Sequence, residues 1–195
     1  MAEKSAKRDR IIEAAKSCFL NYGFEKTSMS DIAKQVNISR TAIYQHFENK
    51  EAIFCAIVEQ LHQETLAQAA IALTQQQGTI TQRILEAFES RMIVLFALVA
   101  DSIHGDELTD INSRVAAKIN RDAIADFTQM LTQAIKTAVS QSEIQLSRLE
   151  LSSFEAAELL VNSAQGLKQA ATSVEDLRGR LKQLIRVFEQ ATISF

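Results

Sequence analysis

The amino-acid sequence predicts an all-α protein of about nine helices, and three observations support this. The 195 residues include no proline and only five glycines, so residues that break helices or form tight turns are scarce. Apolar residues recur at intervals of three and four, which is the spacing of one helix face. Strands are not indicated, because apolar and polar residues do not alternate between turn signals. The composition, 47% apolar and 23% charged, is ordinary for a globular protein.

The first two predicted helices have clear end signals. The first runs from about Ser5 to Tyr22 and ends at Gly23, a residue that favours the left-handed conformation found after helices. The second runs from Met29 to about Val36. Its start is marked by Ser28 and Asp31, whose spacing is that of a capping box.

The third predicted helix, about Arg40 to Phe47, follows a tight turn at Asn37 and Ile38. Asparagine adopts a left-handed conformation more readily than most residues, so it suits this turn. Ser39 can cap the helix. Ile43 and Phe47 are four residues apart, so they share a face that would hold the helix to the core.

The remaining predicted helices are mostly longer and more apolar. Asn49 can cap the fourth helix, and residues 141–152 are a polar linker or loop. The predicted ranges are Lys50–Gln76, Thr81–Ile103, Glu107–Asn112, Arg114–Ser140, Phe154–Thr172 and Val174–Ile193.

The charges are unevenly distributed, although the net charge is only −3. Residues 1–50 carry nine Lys or Arg and six Asp or Glu, a net charge of +3. The other 145 residues carry twelve and eighteen, a net charge of −6. A basic N-terminal segment on an acidic body suggests an anionic partner for that segment.

The sequence carries no signal for export or membrane insertion. The charges of residues 1–10 are not followed by an apolar run. The most hydrophobic stretch, Met92–Ala100, has nine residues, whereas a helix needs ~20 to cross a bilayer. Cys18 and Cys55 form no CxxC pair and lie within helical patterns. We therefore expect a cytoplasmic protein with reduced cysteines and no membrane partner.

Two short helices joined by a tight turn, after a supporting helix, form the helix-turn-helix arrangement. Its second helix lies in the major groove of DNA and reads base edges. Arg40 can bind guanine, Gln45 can bind adenine, and Thr41 can contact a thymine methyl group or a phosphate. The pattern alone leaves an alternative, in which the polar face of a capped three-helix module is only solvated.

Lys50 favours the DNA-binding interpretation. A cation in the first turn opposes the helix dipole at a cost of about 0.3–1 kcal/mol. A bound phosphate would offset this cost, because the ammonium group and the free N–H groups of the helix start would share one anion. The hydroxyl of Tyr44 could reach the same phosphate backbone.

Three motifs lie between Arg10 and Ile57: AA…F…YGF at the end of the first helix, TSMxDIA at the second, and ISxxxIYxHFxxKE after the turn. With these motifs the stretch resembles the N-terminal domain of the TetR family of bacterial transcriptional regulators. The chain departs from that pattern at Asn37, where glycine is frequent, and at Thr41, where a small residue is frequent. The rest of the chain resembles the family in helix number and length.

The resemblance implies two domains, a helix-turn-helix DNA-binding domain (1–49) and a ligand-binding and dimerisation domain (50–195). It implies base contacts from Arg40, Thr41 and Gln45. It also implies phosphate contacts near Thr27 and Ser28, at Tyr44 and His46, and at Lys50. The predicted DNA-binding residues are Thr27, Ser28, Ser39, Arg40, Thr41, Tyr44, Gln45, His46 and Lys50.

A homodimer is expected, because one module covers few base pairs and two-fold dimers place their reading helices ~34 Å apart. Apolar stripes on the last two helices could form the dimer surface or face the core of their own subunit. The resemblance favours a four-helix dimer bundle. The predicted interface residues are Phe154, Ala157, Val161, Ala164, Leu177, Leu181, Leu184 and Phe188.

The fourth to eighth predicted helices would enclose a pocket for a small-molecule effector. Arg91 interrupts an apolar helix, so it either forms a structural ion pair or anchors an anionic ligand. The predicted pocket residues are His62, Phe88, Arg91, Met92, Phe96, Phe127, Met130 and Gln165.

Catalytic and metal-binding motifs are absent from the sequence. His46, His62 and His104 lack the spacing of metal ligands, and GxSxG, Walker and GxGxxG sequences do not occur. We therefore expect no enzyme, cofactor or metal. A helical enzyme or carrier and a ligand-independent architectural DNA-binding protein are the alternatives. The predicted function is a ligand-responsive transcriptional regulator, a repressor that binds a palindromic double-stranded DNA operator as a homodimer.

Overall fold

The computed structural model describes the backbone of residues 2–192 and the side chains of residues 6–192. Within this part of the chain, helices are the only regular secondary structure, which confirms the all-α prediction. The α-helices are α1 (Ala2–Tyr22), α2 (Met29–Gln35), α3 (Arg40–Tyr44), α4 (Lys50–Thr74), α5 (Ile80–Phe88), α6 (Val94–Ala100), α7 (Gly105–Val115), α8 (Ala117–Ser140), α9 (Ser153–Ala170) and α10 (Val174–Thr192).

A π-helical turn, Glu89–Ile93, joins α5 to α6 without a break. These three segments correspond to the single helix predicted over residues 81–103. Counted as one, they give the described residues the nine helices that were predicted. The predicted linker at residues 141–152 contains a short 3₁₀ turn, Ser147–Leu149.

Local side-chain interactions start the helices where the sequence indicated. The Ser28 hydroxyl accepts from the N–H of Asp31 at 3.2 Å, and the Asp31 carboxylate accepts from the N–H of Ser28 at 3.0 Å. This capping box begins α2. Ser39 and Asn49 cap α3 and α4, each by accepting from the N–H three residues further on, at 3.1 and 2.7 Å.

The chain forms two compact units, and their boundaries fall inside α4, α6 and α8. The first unit contains residues up to His62 together with Leu98–Asn120. The second contains Gln63–Ala97 and the chain from Arg121 onward. The division into functional domains 1–49 and 50–195 concerns activity, and it stays a prediction.

An aromatic cluster lies in the core of the first unit. The rings of Phe19, Phe24 and Phe54 pack with centroids 5.1 to 5.9 Å apart. They come from α1, the loop after it, and the first turns of α4. Leu108 and Ile111 of α7 belong to the same core. The first unit is therefore assembled from two segments of chain that are distant in sequence.

The core of the second unit is built on α5, α8, α9 and α10. Phe88 and Phe127 meet edge to face with centroids 5.2 Å apart. Leu131 and Ile135 continue the buried stripe of α8, and α10 contributes Leu181. Each helix therefore presents one apolar face to this core, as its periodicity indicated.

Replacing Gly23 by alanine tests the close approach of two segments in the first unit. Gly23 has φ +84°, and a Cβ there would lie 2.5 Å from Oε2 of Glu107. Glu107 is itself held by the N–H of Glu25 at 2.6 Å, so it cannot move without losing a hydrogen bond. We expect Gly23→Ala to lower the free energy of unfolding by more than the ~1–2 kcal/mol of left-handed strain alone.

Gly78→Ala is the matched control, measured by the same denaturant titration. Gly78 has φ +80°, and a Cβ there would lie 2.9 Å from Oε1 of Gln82, an exposed side chain that accepts from the N–H of Thr79 in the capping box of α5. It should lose the strain and this local, exposed hydrogen bond, so we expect a smaller loss than at Gly23, where Glu107 is less exposed and comes from a distant segment. Equal losses in the two variants would show that Glu107 does not restrict position 23.

Candidate nucleic-acid interface

The turn between α2 and α3 has the geometry that the sequence indicated. Asn37 adopts φ +55°, so asparagine provides the left-handed residue of this turn. The N–H of Asn37 donates to the carbonyl of Lys34, and the N–H of Ile38 donates to that of Ala33, both at 3.0 Å. These bonds end α2 and direct the chain into α3.

The polar candidates on α3 and the residue after it lie together on an exposed face. Ile43 and Phe47 are buried, which anchors the other face. The guanidinium of Arg40 lies 6.0 Å from the centre of the Tyr44 ring, so the two side chains stack. The exposed candidates are Arg40, Thr41, Tyr44 and Gln45. This group of four is called the reading face below.

Ser39 and His46 flank the reading face. Ser39 is exposed, but its hydroxyl accepts from the N–H of Ala42 and so serves first as the helix cap. His46 is half-buried. The structure thus brings all six predicted residues of this segment to one end of the helix-turn-helix.

Thr27 and Ser28 differ in exposure. Thr27 is only 3% exposed, and its hydroxyl donates to the carbonyl of Gly23 at 2.6 Å. Its side chain therefore stabilises the loop after α1. Ser28 is exposed, and its hydroxyl also donates to the Asp31 carboxylate at 2.6 Å. These hydrogen bonds lower the pKa of Asp31, because they favour its ionised form.

Lys50 has a different environment from the one that the sequence suggested. Its ammonium group donates to three backbone carbonyls, those of Phe24 at 2.8 Å, Glu25 at 3.3 Å and Thr27 at 3.4 Å. It also lies 4.3 Å from the centre of the Phe24 ring. The carbonyl dipoles offset the cation at the helix start, so no phosphate is needed to explain its position. The first role of Lys50 is to hold this loop.

The same loop is also held by α7, a contact that no sequence pattern indicated. A carboxylate oxygen of Glu107 accepts from the N–H of Glu25, and Nδ1 of His104 lies 3.5 Å from the other oxygen. The hydroxyl of Ser102 donates to the carbonyl of Leu20 at 2.9 Å. Glu25 and Glu107 are 82 residues apart in sequence, and so are Leu20 and Ser102, so no local pattern could have indicated these two hydrogen bonds.

Two exposed arginines of α1 add candidates that the sequence reasoning missed. The Arg8 guanidinium lies 5.0 Å from the centre of the Phe47 ring. Arg10 donates to the carbonyl of Val36 at 3.4 Å. Both cations therefore lie beside the ends of α2 and α3. The sequence feature that could have indicated these arginines is the net positive charge of residues 1–50, which does not by itself identify particular side chains.

The predicted pocket residues are divided between the two units. His62 belongs to the first unit, where its Nε2 lies 2.8 Å from Oδ1 of Asn120. The other seven belong to the second unit. Of these, Phe88, Arg91, Met92 and Phe127 are buried, whereas Phe96, Met130 and Gln165 are partly exposed.

A cavity of about 740 Å³ opens in the second unit along α4, α5 and α8. Of the predicted pocket residues, Met130 lines it and the others do not. The surface of this cavity is mostly apolar, although Thr74, Arg83, Asp126 and Gln133 are among the residues that line it. The apolar residues that predicted a pocket therefore did not indicate where this cavity lies.

Most of the predicted dimer residues are buried in the core of their own chain. A side chain that is already covered has little surface to offer a second copy. Of the other two, Phe154 is exposed and Leu184 is partly exposed. The buried six are Ala157, Val161, Ala164, Leu177, Leu181 and Phe188.

The described residues contain neither a membrane-spanning helix nor a cluster of metal ligands. No helix in this part of the chain is long and apolar enough to cross a membrane. No group of three or more His, Cys, Asp or Glu is arranged there to hold a metal ion.

The capped helix-turn-helix with its exposed reading face defines a DNA-binding protein of the regulator class. Residues 11–57 match the model of the bacterial regulatory proteins of the tetR family. This match covers about a quarter of the chain, and the longer proteins that the chain resembles are named as transcriptional regulators.

Relatives in sequence carry the same kind of name. The chain is 28% identical to the HTH-type transcriptional regulator TtgR of Pseudomonas putida over 148 residues, which is 73% of this chain and 70% of TtgR. Over 53 residues it is 45% identical to the probable acrEF/envCD operon repressor of Escherichia coli, which is 27% of this chain and 24% of that protein.

Solved structures show that the whole fold is shared. A transcriptional regulator from Cytophaga hutchinsonii matches with a TM-score of 0.82 and 21% identity, over 96% of this chain and 99% of the other. SmeT, the repressor of the Stenotrophomonas maltophilia multidrug efflux pump SmeDEF, matches with a TM-score of 0.70 and 22% identity, over 96% and 90%.

Replacing Lys50 by methionine tests its role in holding the loop. Methionine keeps most of the apolar side chain but removes the ammonium group and its three hydrogen bonds. We expect the free energy of unfolding to fall by about 1–3 kcal/mol, because hydrogen bonds to charged groups are among the stronger ones. Thermal and denaturant unfolding would measure the change.

Lys26→Met is the control, since Lys26 is an exposed cation in the same loop. It should change the free energy of unfolding by no more than about 0.5 kcal/mol. If the two variants were equally stable, the ammonium group of Lys50 would be free in solution.

Proposed function

We propose that the protein is a ligand-responsive repressor that binds a palindromic operator as a homodimer. The observation that carries this proposal is the reading face on a helix whose opposite side is anchored by Ile43 and Phe47. A rigid short helix that exposes an arginine, a threonine and a glutamine suits base recognition in the major groove.

Within the interface, we assign different roles to different side chains. Arg40, Thr41 and Gln45 read bases, and Arg40 prefers guanine. Ser28, Tyr44 and His46 contact phosphates. These contacts fix the register of the protein on DNA but do not distinguish sequences.

Thr27 and Lys50 act indirectly in this scheme. Both are engaged with backbone carbonyls of the loop before α2, so they set the position of Ser28. Contact of the Lys50 ammonium group with DNA would require it to leave at least one of its three carbonyls. Ser39 maintains the start of α3.

The names of relatives support repression and ligand response. SmeT is named as the repressor of a multidrug efflux pump, and a structure of it is named as a triclosan complex. The E. coli relative is named as an operon repressor. By analogy, this chain represses transcription in the cytoplasm and is released from DNA by a small effector.

The homodimer is best formed by the exposed sides of α9 and α10. Leu159 and Val187 are 57% and 68% exposed, and Phe154 is 52% exposed. Gly166 and Gly179 lie inside these helices, where glycine costs about 0.5–1 kcal/mol relative to alanine. A Cβ at either position would meet nothing within 4 Å in this chain. Close approach of a second copy would explain both the glycines and the exposed apolar side chains.

A ligand can control such a repressor only if it prefers one spacing of the two reading helices. The helix α4 begins at the loop that Lys50 holds and continues for 25 residues to Thr74. A shift of its C-terminal part would therefore be transmitted toward Ser28 and the helix-turn-helix.

Arg40→Ala tests the division between base readers and phosphate contacts. Because one bidentate base contact is worth about 1–3 kcal/mol, the preference for the operator over mutated operators should fall roughly 10- to 100-fold. The operator would first be located by a genome-wide binding map in the host. Fluorescence anisotropy titrations against operator variants would then measure the preference.

Two variants complete this test. Tyr44→Phe removes only a hydroxyl from a phosphate contact, so it should weaken binding to every sequence alike. Arg148→Ala removes an exposed charge from the second unit, so it should change neither the preference for the operator nor the affinity for DNA in general. A uniform loss of affinity in Arg40→Ala would contradict the assignment of Arg40 to a base.

Leu159→Glu tests the dimer surface. A charge there should prevent a second copy from packing, so light scattering after gel filtration should give the monomer mass. Ile71→Glu is a matched control, because Ile71 is also 57% exposed but lies on α4. It should leave the mass of the dimer unchanged. A dimer that persists in Leu159→Glu would show that this face of α9 is not the interface.

A further inference from the structure

Arg91 is a buried cation with incomplete hydrogen bonding. It is 4% exposed, and its Nη2 donates to the carbonyl of Ala123 at 3.0 Å. Its guanidinium lies 5.2 Å from the centre of the Phe127 ring. Nη1 is buried and has no hydrogen-bond acceptor. A buried donor left without a partner is costly, and more so when it carries charge.

Among the described residues, no carboxylate forms an ion pair with the guanidinium of Arg91, and the acidic group that influences it is the exposed Asp126. Burial lowers the pKa of Arg91 to about 10, and Asp126 opposes that shift only in part. Arg91 is therefore still charged at neutral pH. The structural ion pair considered from the sequence is not present among these residues.

A second cation lies within electrostatic reach of Arg91. Lys168 of α9 has a lowered pKa, first because of burial and second because of the charge of Arg91. Two desolvated cations of like charge repel each other, and buried charges in proteins are normally paired or bound to a ligand.

The π-helical turn explains how Arg91 comes to be buried. Residues Arg91, Met92 and Ile93 are all buried, although three successive positions of a regular α-helix point in directions about 100° apart. The wider turn lets the segment direct more of its residues inward. Such turns occur frequently at functional sites.

The surroundings of Arg91 are apolar and aromatic. Phe88 and Phe127 meet edge to face beside it, and Met92 belongs to the same core. An anion that enters this environment must bring apolar surface of its own, because a fully hydrated ion would lose its water without compensation. A guanidinium matches the geometry of a carboxylate, which it can bind with two parallel hydrogen bonds.

We propose that Arg91 and Lys168 bind the carboxylate of an amphipathic organic acid, whose apolar part displaces core side chains beside Phe88 and Phe127, because both rings are buried. This inference rests on the proposed ligand response and names its chemical class. The carboxylate accepts from Nη1 of Arg91 and neutralises the repulsion between the two cations. Lys168 keeps part of its surface exposed, so the acid reaches Lys168 first.

Binding is tested without DNA, on the full chain. The probes are octanoate and benzoate, each compared with its neutral amide, octanamide or benzamide. Differential scanning fluorimetry and calorimetric titration measure Tm and affinity. We expect at least one acid to raise the Tm of the wild-type protein while its amide does not. A protein that responds to neither acid, or equally to acid and amide, overturns the proposal.

The variants locate the binding group. Arg91→Met should abolish the response to the acid, and Lys168→Gln should weaken the affinity at least tenfold. Lys136→Gln removes an exposed cation of α8 and should bind as the wild-type protein does. A wild-type response in Arg91→Met overturns the proposal.

The stability of Arg91→Met without ligand separates a binding role from a structural one. Replacing an uncompensated buried charge by an apolar side chain should raise Tm. A structural arginine would instead lower Tm when it is removed. If Arg91→Met is less stable than the wild-type protein, its loss of response is disregarded and Lys168→Gln alone decides: weaker binding supports the site, and unchanged binding overturns it.

An operator titration with the same acids distinguishes this inference from the proposed function. If an acid binds but operator affinity does not change, the site stands and its regulatory role fails. If other compounds release the operator and no acid binds, the regulator stands and the acidic class of effector is wrong.

Discussion

The three hydrogen bonds from Lys50 to the loop after α1 are the interaction on which the position of the helix-turn-helix depends. They join the first turn of α4 to the carbonyls of Phe24, Glu25 and Thr27. The same loop ends at Ser28, whose capping box starts α2. The position of α2, and through the Asn37 turn that of α3, therefore follows from this contact. A cation that would be unfavourable in an isolated helix is stabilised by carbonyl dipoles from another part of the chain.

This arrangement also explains why α7 belongs with the first three helices. Gly23 leaves room for the Glu107 carboxylate, which accepts from the N–H of Glu25. Ser102 binds the end of α1 through the carbonyl of Leu20. The loop is thus held by an ammonium group and by a carboxylate at once. Any displacement of α7 or of the start of α4 therefore also displaces the loop that precedes the helix-turn-helix.

The second unit differs from the first because its core contains a buried charged side chain, Arg91. Phe88, Phe127 and Met92 form an apolar surrounding in which the guanidinium of Arg91 has one hydrogen bond and no ion pair among the described residues. Proteins are only marginally stable, so an uncompensated buried cation is a feature that stability alone does not favour. The cavity along α4, α5 and α8 is a separate feature, because Arg91 does not line it.

The sequence by itself determined the local features: the helices, the caps at Ser28, Ser39 and Asn49, and the left-handed turn at Asn37. Each of these depends on interactions between residues no more than a few positions apart, so the pattern of residue types contains the information. The tertiary structure decided which faces are covered. Leu181 lies on a stripe that suits either a core or an interface, and only packing placed it in the core. The acceptors of Lys50 and the missing partner of Arg91 were likewise decided by contacts between distant segments, which periodicity and spacing do not encode.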